Sequence, residues 1–337
     1  MGSATPARIN RAMAKAARRR PERMAMTGQH KDNRALAIAF VLTAVGLAAT
    51  QDAIVKSMSG GYSINEAVIF RCLGSLPVLV AILVHQGAWR QMLTPLLPRI
   101  VLRSLILCSA YYSFVLSIAA MPIANSVAIY FTMPFFVAGL AGFVLGERVR
   151  LHRWLAICAG FAGVMVMVRP GATSFEPAAL LALYSAFGYA IGQMIGRPLA
   201  QAVPPVVIAN WQNLIYLAAG GLLVGVFHAT GSLEGGHKSL AFLSRPWAWP
   251  GLFDGFILVA NGFFAAFAML LFVSAYKYAE SNFVAPFEYS AMVWALAYGA
   301  LLFGDFPDVL TWVGAAIVVT AGLLMVWRDR QLDRAGV

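Results

Sequence analysis

Three charged residues, Glu288, Arg71 and Asp52, stand inside long apolar stretches of this chain. An ionisable group within a membrane span is costly, and it faces a cavity, a partner or a proton route. Glu288 is the foremost. It sits about eight residues into its stretch, roughly 12 Å deep at the rise of a helix. Pro286 precedes it, and a proline there withdraws a backbone donor and can open the helix locally. Such a carboxyl is a candidate for carrying a coupling proton. The alternative is a glutamate that only fixes helix packing. Arg71 lies at a similar depth in another stretch. Its planar fork of donors suits a carboxylate or phosphate. Alternatively it pairs with Asp52, Glu66 or Glu288, since an unpaired buried charge is expensive. Asp52 and Lys56 lie one helical turn apart on one face. Lys56, nearer the end, can snorkel to the interface. Asp52 reads equally as a site residue or as half of a structural pair.

Uncharged polar groups widen the set. Tyr112, Tyr130, Gln193, Asn210, Trp211, Asn213, Asn261 and Tyr289 are candidates to line a central cavity, with Gln51, Tyr111, Asn125, Tyr189, Gln212 and Trp294 beside them. Asn210 and Asn213 share a helical face. The aromatic rings can stack on a flat or apolar molecule. Amides and hydroxyls also bind helices to one another at modest energies, so each residue reads as cavity lining or as packing. No HExxH, Walker A, GxSxG or metal-spaced Cys/His cluster occurs, so neither a cofactor nor a metal is expected. Cys72, Cys108 and Cys158 all lie in apolar stretches and read as small apolar residues.

These side chains must be positioned by membrane helices. About 20 apolar residues cross the hydrocarbon core as a helix. Ten such stretches, at 35–57, 64–85, 99–119, 123–145, 151–169, 177–197, 204–228, 250–277, 281–303 and 307–327, occupy almost the whole chain. Only 12% of the 337 residues are charged, about half the share in soluble domains. Mean hydropathy is +0.74. The longest gap, residues 229–249, is too short to fold alone.

The net charge of +11 is placed for a membrane rather than for nucleic acid. Nine of the 25 Lys and Arg precede the first stretch, between Arg8 and Arg34. Positive charge stays on the cytoplasmic side, so residues 1–34 form a basic, disordered cytoplasmic arm. Ten crossings return the tail, 329–337, to the same side. Arg90, Arg99, Arg103, Arg148, Arg150 and Arg153 then fall inside, with only Lys56, Arg169, Lys238 and Arg245 outside. The expected location is a bacterial inner membrane, multi-pass, with both termini cytoplasmic. Lipid is a partner and nucleic acid is not.

The chain also resembles itself. The shift that puts Gly46 on Gly188 puts Ala48 on Ala190 and Gln51 on Gln193. A second shift puts Ser117 on Ser274, Asn125 on Asn282 and Val127 on Val284. One residue further, Glu147 falls on Asp305 and Trp154 on Trp312. Each half holds five helices, an odd number, so the second half enters the membrane inverted. Inverted repeats with a site near mid-membrane are the plan of many secondary transporters.

Pro134, Gly146-Glu147, Trp154 and the Gly160/Gly163 pair resemble the hairpin of EamA-type members of the drug/metabolite transporter superfamily. The second copy, Gly304-Asp305, Trp312, Gly314 and Gly322, carries Asp for Glu and has Ala291 near the place of the proline. Asp52-Ala53-Ile54-Val55-Lys56, then Glu66 and Phe70-Arg71, is similar to the first two helices of bacterial members. The resemblance implies EamA-type repeats at 35–170 and 176–328. It marks Pro134, Glu147 and Asp305 as fold-signature residues, with the two acids latching hairpins rather than touching substrate. Relatives include exporters of amino acids and other metabolites, and importers of riboflavin, S-adenosylmethionine and sugars.

The expectation is an all-α membrane protein of ten transmembrane helices in two inverted five-helix repeats, the fifth and tenth peripheral. Its activity is secondary transport of a small polar or amphipathic metabolite, an amino acid or related compound, by alternating access. Proton coupling runs through Glu288, and the functional unit is a monomer or homodimer. The alternatives are a membrane enzyme acting on lipid, which would need a cluster of reactive groups at one interface, and a channel.

Overall fold

The computed structural model describes residues 34–145, 151–169, 176–231, 237–278, 284 and 287–335. All regular structure among them is helical, as lipid demands of a chain whose backbone must satisfy itself. The first repeat holds α1 (Arg34–Met58), α2 (Ile64–His85), α3 (Leu97–Ala120), α4 (Ile123–Tyr130), α5 (Met133–Leu145) and α6 (Leu151–Val168). The second holds α7 (Ala178–Ala202), α8 (Pro205–Thr230), α9 (Lys238–Ser244), α10 (Leu252–Tyr278), α11 (Ala291–Tyr298) and α12 (Val309–Ala335). Nine helices among the described residues are long and apolar enough to cross a membrane, counting α4 and the start of α5 as one; residues 291–303 form a shorter apolar segment.

Two spans are broken, and in the same place in each repeat. The fourth turns at Phe131 and Thr132, between α4 and α5. Pro134 explains this. It has no N–H for the Tyr130 carbonyl, and its ring is tolerated only in the first turn of the following helix. The ninth turns at Tyr289 and Ser290, before α11. Ala291 stands there instead of a proline, yet the break persists. The two breaks meet: the Phe131 and Tyr289 rings are 4.8 Å apart. Pro286 and Glu147 lie outside the described residues, as does all of the basic arm before Arg34. The segment expected as a tail after residue 328 continues α12 as helix to Ala335.

The repeats interlock with matching pairs. α1 packs along α10 as α3 packs along α7. The fifth and tenth spans, α6 and α12, pack on each other through Gly163 and Gly314. The tightest crossing joins α2 to α10. A Cβ on Gly74 would lie 2.0 Å from the Val259 carbonyl oxygen, and one on Gly262 would lie 2.1 Å from that of Arg71. Only glycine permits backbones this close.

Candidate functional site

Arg71 lies about two turns into α2, and its side chain reaches α1 and α3. Its Nε donates to Gln51 Oε1 at 3.4 Å. Its guanidinium carbon lies 4.7 Å from the centre of the Tyr111 ring. Among the described residues no carboxylate forms an ion pair with it. Glu66, one of its expected partners, is spent elsewhere. It completes a capping box at the start of α2, accepting from the Ser63 N–H at 2.6 Å, and it also accepts from the Ala248 N–H. Asp52, beside Gln51 on α1, is within electrostatic reach of Arg71. It too forms no ion pair or hydrogen bond among the described residues.

Tyrosines surround this pair. Tyr111 packs on Tyr216 of α8 with ring centres 5.6 Å apart. Tyr130, at the end of α4, meets Tyr189 of α7 edge-on at 5.4 Å. Tyr189 and Tyr216 are within reach of the Arg71 charge. Tyr130 is within reach of both Asp52 and Glu288. Glu288 itself is half-buried just before the break in the ninth span. Asp52, Arg71, Tyr111, Tyr130 and Tyr189 are also half-buried although they are mid-span and turned onto neighbouring helices. The cluster is therefore not fully sealed by the packing between helices.

Arg71 is costly where it stands, and Asp52 nearby offsets part of that cost. An arginine at mid-span costs about 2.5–3.5 kcal/mol. One interhelical hydrogen bond and one cation–π contact return about 1–2 kcal/mol together.

The other expected residues divide. Asn210 donates to the carbonyls of Leu79 at 3.2 Å and Val206 at 2.9 Å. Asn213 donates to the Cys72 carbonyl at 3.1 Å and accepts from Ser75 Oγ at 2.8 Å. Trp211 Nε1 donates to the Met92 carbonyl at 2.9 Å. These three tie α8 to α2 and to the turn after it. Tyr112 is buried between α2, α3 and α8, with its hydroxyl toward Gly220. Tyr289 directs its hydroxyl end onto Gly322 of α12. Asn261 is fully buried on α10. Gln193 is exposed one turn beyond Tyr189.

Two participants went unforeseen. Tyr216 had no charge nearby in sequence to mark it. Arg103, expected among the inner loop charges, lies within α3. Its Nε donates to the Gly192 carbonyl at 3.1 Å and its Nη1 to Gln212 Oε1 at 3.0 Å. Arg103 and Tyr111 are two turns apart, hence on one face, and that periodicity selects Tyr111 over Tyr112.

Lys56 does not snorkel to the interface. Its Nζ lies 2.7 Å from Asp305 Oδ2 and 3.0 Å from the Met121 carbonyl oxygen, and 5.0 Å from the centre of the Phe303 ring. Lys56 thus links α1 to the hairpin before α12, through Asp305, and to the α3–α4 junction, through the Met121 carbonyl. At the same end α9 packs Phe242 against α2 and α3, and Ser239 Oγ donates to the Leu116 carbonyl at 2.8 Å.

The sequence model of the EamA-like transporter family matches residues 35–169 and again 176–327. The chain belongs to the EamA-like transporter family. It is 23% identical over 295 residues to the S-adenosylmethionine uptake transporter of Rickettsia prowazekii, covering 87% of this chain and 93% of that protein. It is 29% identical over 269 residues to the riboflavin transporter of Rhizobium johnstonii, covering 79% and 80%. A solved crystal structure shares the fold at 20% identity with a TM-score of 0.57, over 88% of this chain and 98% of the other. Membership of the EamA-like family makes this a multi-pass membrane transporter of small molecules rather than an enzyme.

Proposed function

We propose that this protein is a secondary carrier for a small polar or amphipathic metabolite, with the Arg71 cluster as its substrate site. One observation carries the reading: a mid-span guanidinium with no carboxylate partner among the described residues, ringed by tyrosines. The named activities of its relatives, S-adenosylmethionine uptake and riboflavin transport, suit such a site. Both molecules carry flat heteroaromatic groups that tyrosines can stack on.

Alternating access fits the two inverted repeats, 35–170 and 176–328, acting as units around this cluster. In the state described the Lys56–Asp305 contact joins one repeat to the other at the end opposite the basic arm. With the arm cytoplasmic, that end is outer, and the contact fastens the two repeats to each other there. Both termini then lie in the cytoplasm of a cell whose inner membrane holds the protein. Glu288 is the proton-coupling group in this reading, supported by its place at the ninth-span break and its proximity to Tyr130. The substrate site is built within one chain, so each copy transports, whether alone or in a homodimer.

Counterflow tests this. Proteoliposomes loaded with unlabelled S-adenosylmethionine or riboflavin should take up the matching labelled compound faster than empty ones. Flux without such trans-stimulation would mark a channel and overturn the carrier reading. For Glu288, the Glu288→Gln variant should lose proton-driven accumulation and keep exchange. Unchanged accumulation and pH profile would remove Glu288 from the mechanism.

A further inference from the structure

α3 and α7, one from each repeat, approach closely at mid-span. A Cβ on Gly192 would meet Leu107 Cδ2 at 2.4 Å, and one on Gly188 would meet Ala110 Cβ at 2.9 Å. Toward the end that bears the basic arm, the same two helices leave a cavity of about 490 Å³ between them. Arg99 and Leu102 of α3 line one side of it, and Ile195, Pro198, Leu199 and Ala202 of α7 the other. Leu102, Pro198 and Ala202 are exposed, so the cavity opens on the surface of the molecule. Its one charge, Arg99, is in the first turn of α3. Ile195 lies seven residues before the end of α7, about 10 Å deeper into the span. The wall is thus charged at the water end and apolar inward.

Two arginines one turn apart on α3 have different fates. Arg103 spends donors on the Gly192 carbonyl and on Gln212. The Arg99 side chain forms no hydrogen bond or ion pair among the described residues. An exposed arginine needs no protein partner in water. One at the mouth of an apolar cavity in the membrane surface meets lipid headgroups instead, and its paired N–H groups suit a phosphate.

We propose that this cavity seats one anionic phospholipid, with its phosphate on Arg99 and an acyl chain along Leu102, Ile195 and Leu199. The leaflet is the one on the side of the basic arm, the cytoplasmic leaflet, whose anionic lipids attract arginines near the surface. A soluble phosphate would leave the apolar wall bare. A zwitterionic lipid brings its own cation and gains less from Arg99. Because the two walls belong to different repeats, a lipid seated here favours the packing described over any in which α3 and α7 part at this end. The seat does not depend on which molecule the protein carries.

Binding to the full chain in detergent tests this, read by native mass spectrometry and by Tm. The probes are phosphatidylglycerol and phosphatidylcholine with the same acyl chains, and glycerol 1-phosphate. Wild type should bind phosphatidylglycerol about fivefold more tightly than phosphatidylcholine, the effect of one arginine near a membrane surface. Arg99→Gln should remove that preference and leave the lipid-free Tm unchanged, and Arg99→Lys should keep part of it. Ala202→Phe should weaken both lipids by filling the cavity. Arg90→Gln should alter nothing, since Arg90 is an exposed arginine beside Trp89 and outside the cavity lining. Equal binding of the two lipids by wild type overturns the proposal. So does a loss of preference as large in Arg90→Gln as in Arg99→Gln. Glycerol 1-phosphate binding as tightly as phosphatidylglycerol marks a free-phosphate site and overturns it too. Should Arg99→Gln fail to fold, unchanged phosphatidylglycerol binding by Ala202→Phe is the result that overturns it. None of these outcomes bears on the carrier reading, which counterflow decides.

Discussion

Lys56 Nζ lies 2.7 Å from Asp305 Oδ2, and this contact fastens the far end of α1 to the hairpin that precedes α12. Both side chains are largely shielded, at 13% and 31% exposure, so the pair is screened less than a surface ion pair. A charge-assisted hydrogen bond of this kind contributes about 1.5–3 kcal/mol. Removing it should shift the balance between the outward-open and outward-closed forms by roughly 10- to 100-fold. In a background without Cys72, Cys108 and Cys158, a cysteine at Tyr130 should react faster with a membrane-impermeant maleimide from outside when Lys56→Ala is added. An unchanged rate means the contact does not hold the outer side shut.

Asn213 and Ser75 should couple in stability and not in substrate recognition. Their side chains meet at 2.8 Å between α8 and α2. A double-mutant cycle of Asn213→Ala and Ser75→Ala should give a coupling of about 0.6 kcal/mol, and at most about 1.7 kcal/mol. Substrate affinity per folded molecule should stay as in wild type. A change in substrate preference would return Asn213 to the cavity.

Gly74→Ala forces α2 away from α10, since the new methyl would lie 2.0 Å from the Val259 carbonyl oxygen. Backbone cannot step aside as a side chain can. The variant should lose about 1–3 kcal/mol or more, seen as a lower Tm in detergent. It should also weaken substrate binding, because the Arg71 carbonyl lies in the same crossing. Wild-type stability would mean the crossing is looser than described.

Asp308 caps α12. Its Oδ1 accepts from the Thr311 N–H at 3.0 Å, and Arg169 pairs with its other oxygen. The Thr311 side-chain contact and then Arg169 hold its carboxyl down from 3.8 to about 2. A depressed carboxylate pKa gives stability that is present above 3.8 and is lost as pH falls through about 2. Asp308→Ala should lower stability by about 1 kcal/mol near neutral pH, the usual cost of losing a cap. The gap to wild type should close in acid. An equal gap at both pH values would assign the loss to packing.

The fold was largely legible in the sequence because lipid imposes one rule on every span, and because the repeat order from Gly46 to Trp312 left little freedom. Arg71 and Asp52 were legible because charge at mid-span is rare. Their relation was not. Whether two charges pair or stand apart depends on side contacts, here Gln51 and Tyr111, that no spacing announces. Asn210 and Asn213 show the same limit, since a polar group in a span needs partners whether it lines a cavity or joins two helices. Lys56 has a stem long enough for either interface or partner, and only the folded chain brings Asp305 to it. Pro134 accounts for the first helix break, but in the sequence it is marked only as a fold-signature residue and its span reads as unbroken. The second carries Ala291 at the matching place, and its signal in the sequence was Pro286, ahead of Glu288.

The account rests on Arg71 as the group that holds the transported molecule. Its most direct test is counterflow in proteoliposomes by wild type and by Arg71→Gln, alongside the Tm of each in detergent. Glutamine keeps a donor near Tyr111 and removes the charge. The account predicts normal folding with exchange reduced by about tenfold or more, a cost of about 1.4 kcal/mol or more in substrate binding. Exchange at the wild-type rate and affinity by a folded Arg71→Gln protein would contradict it.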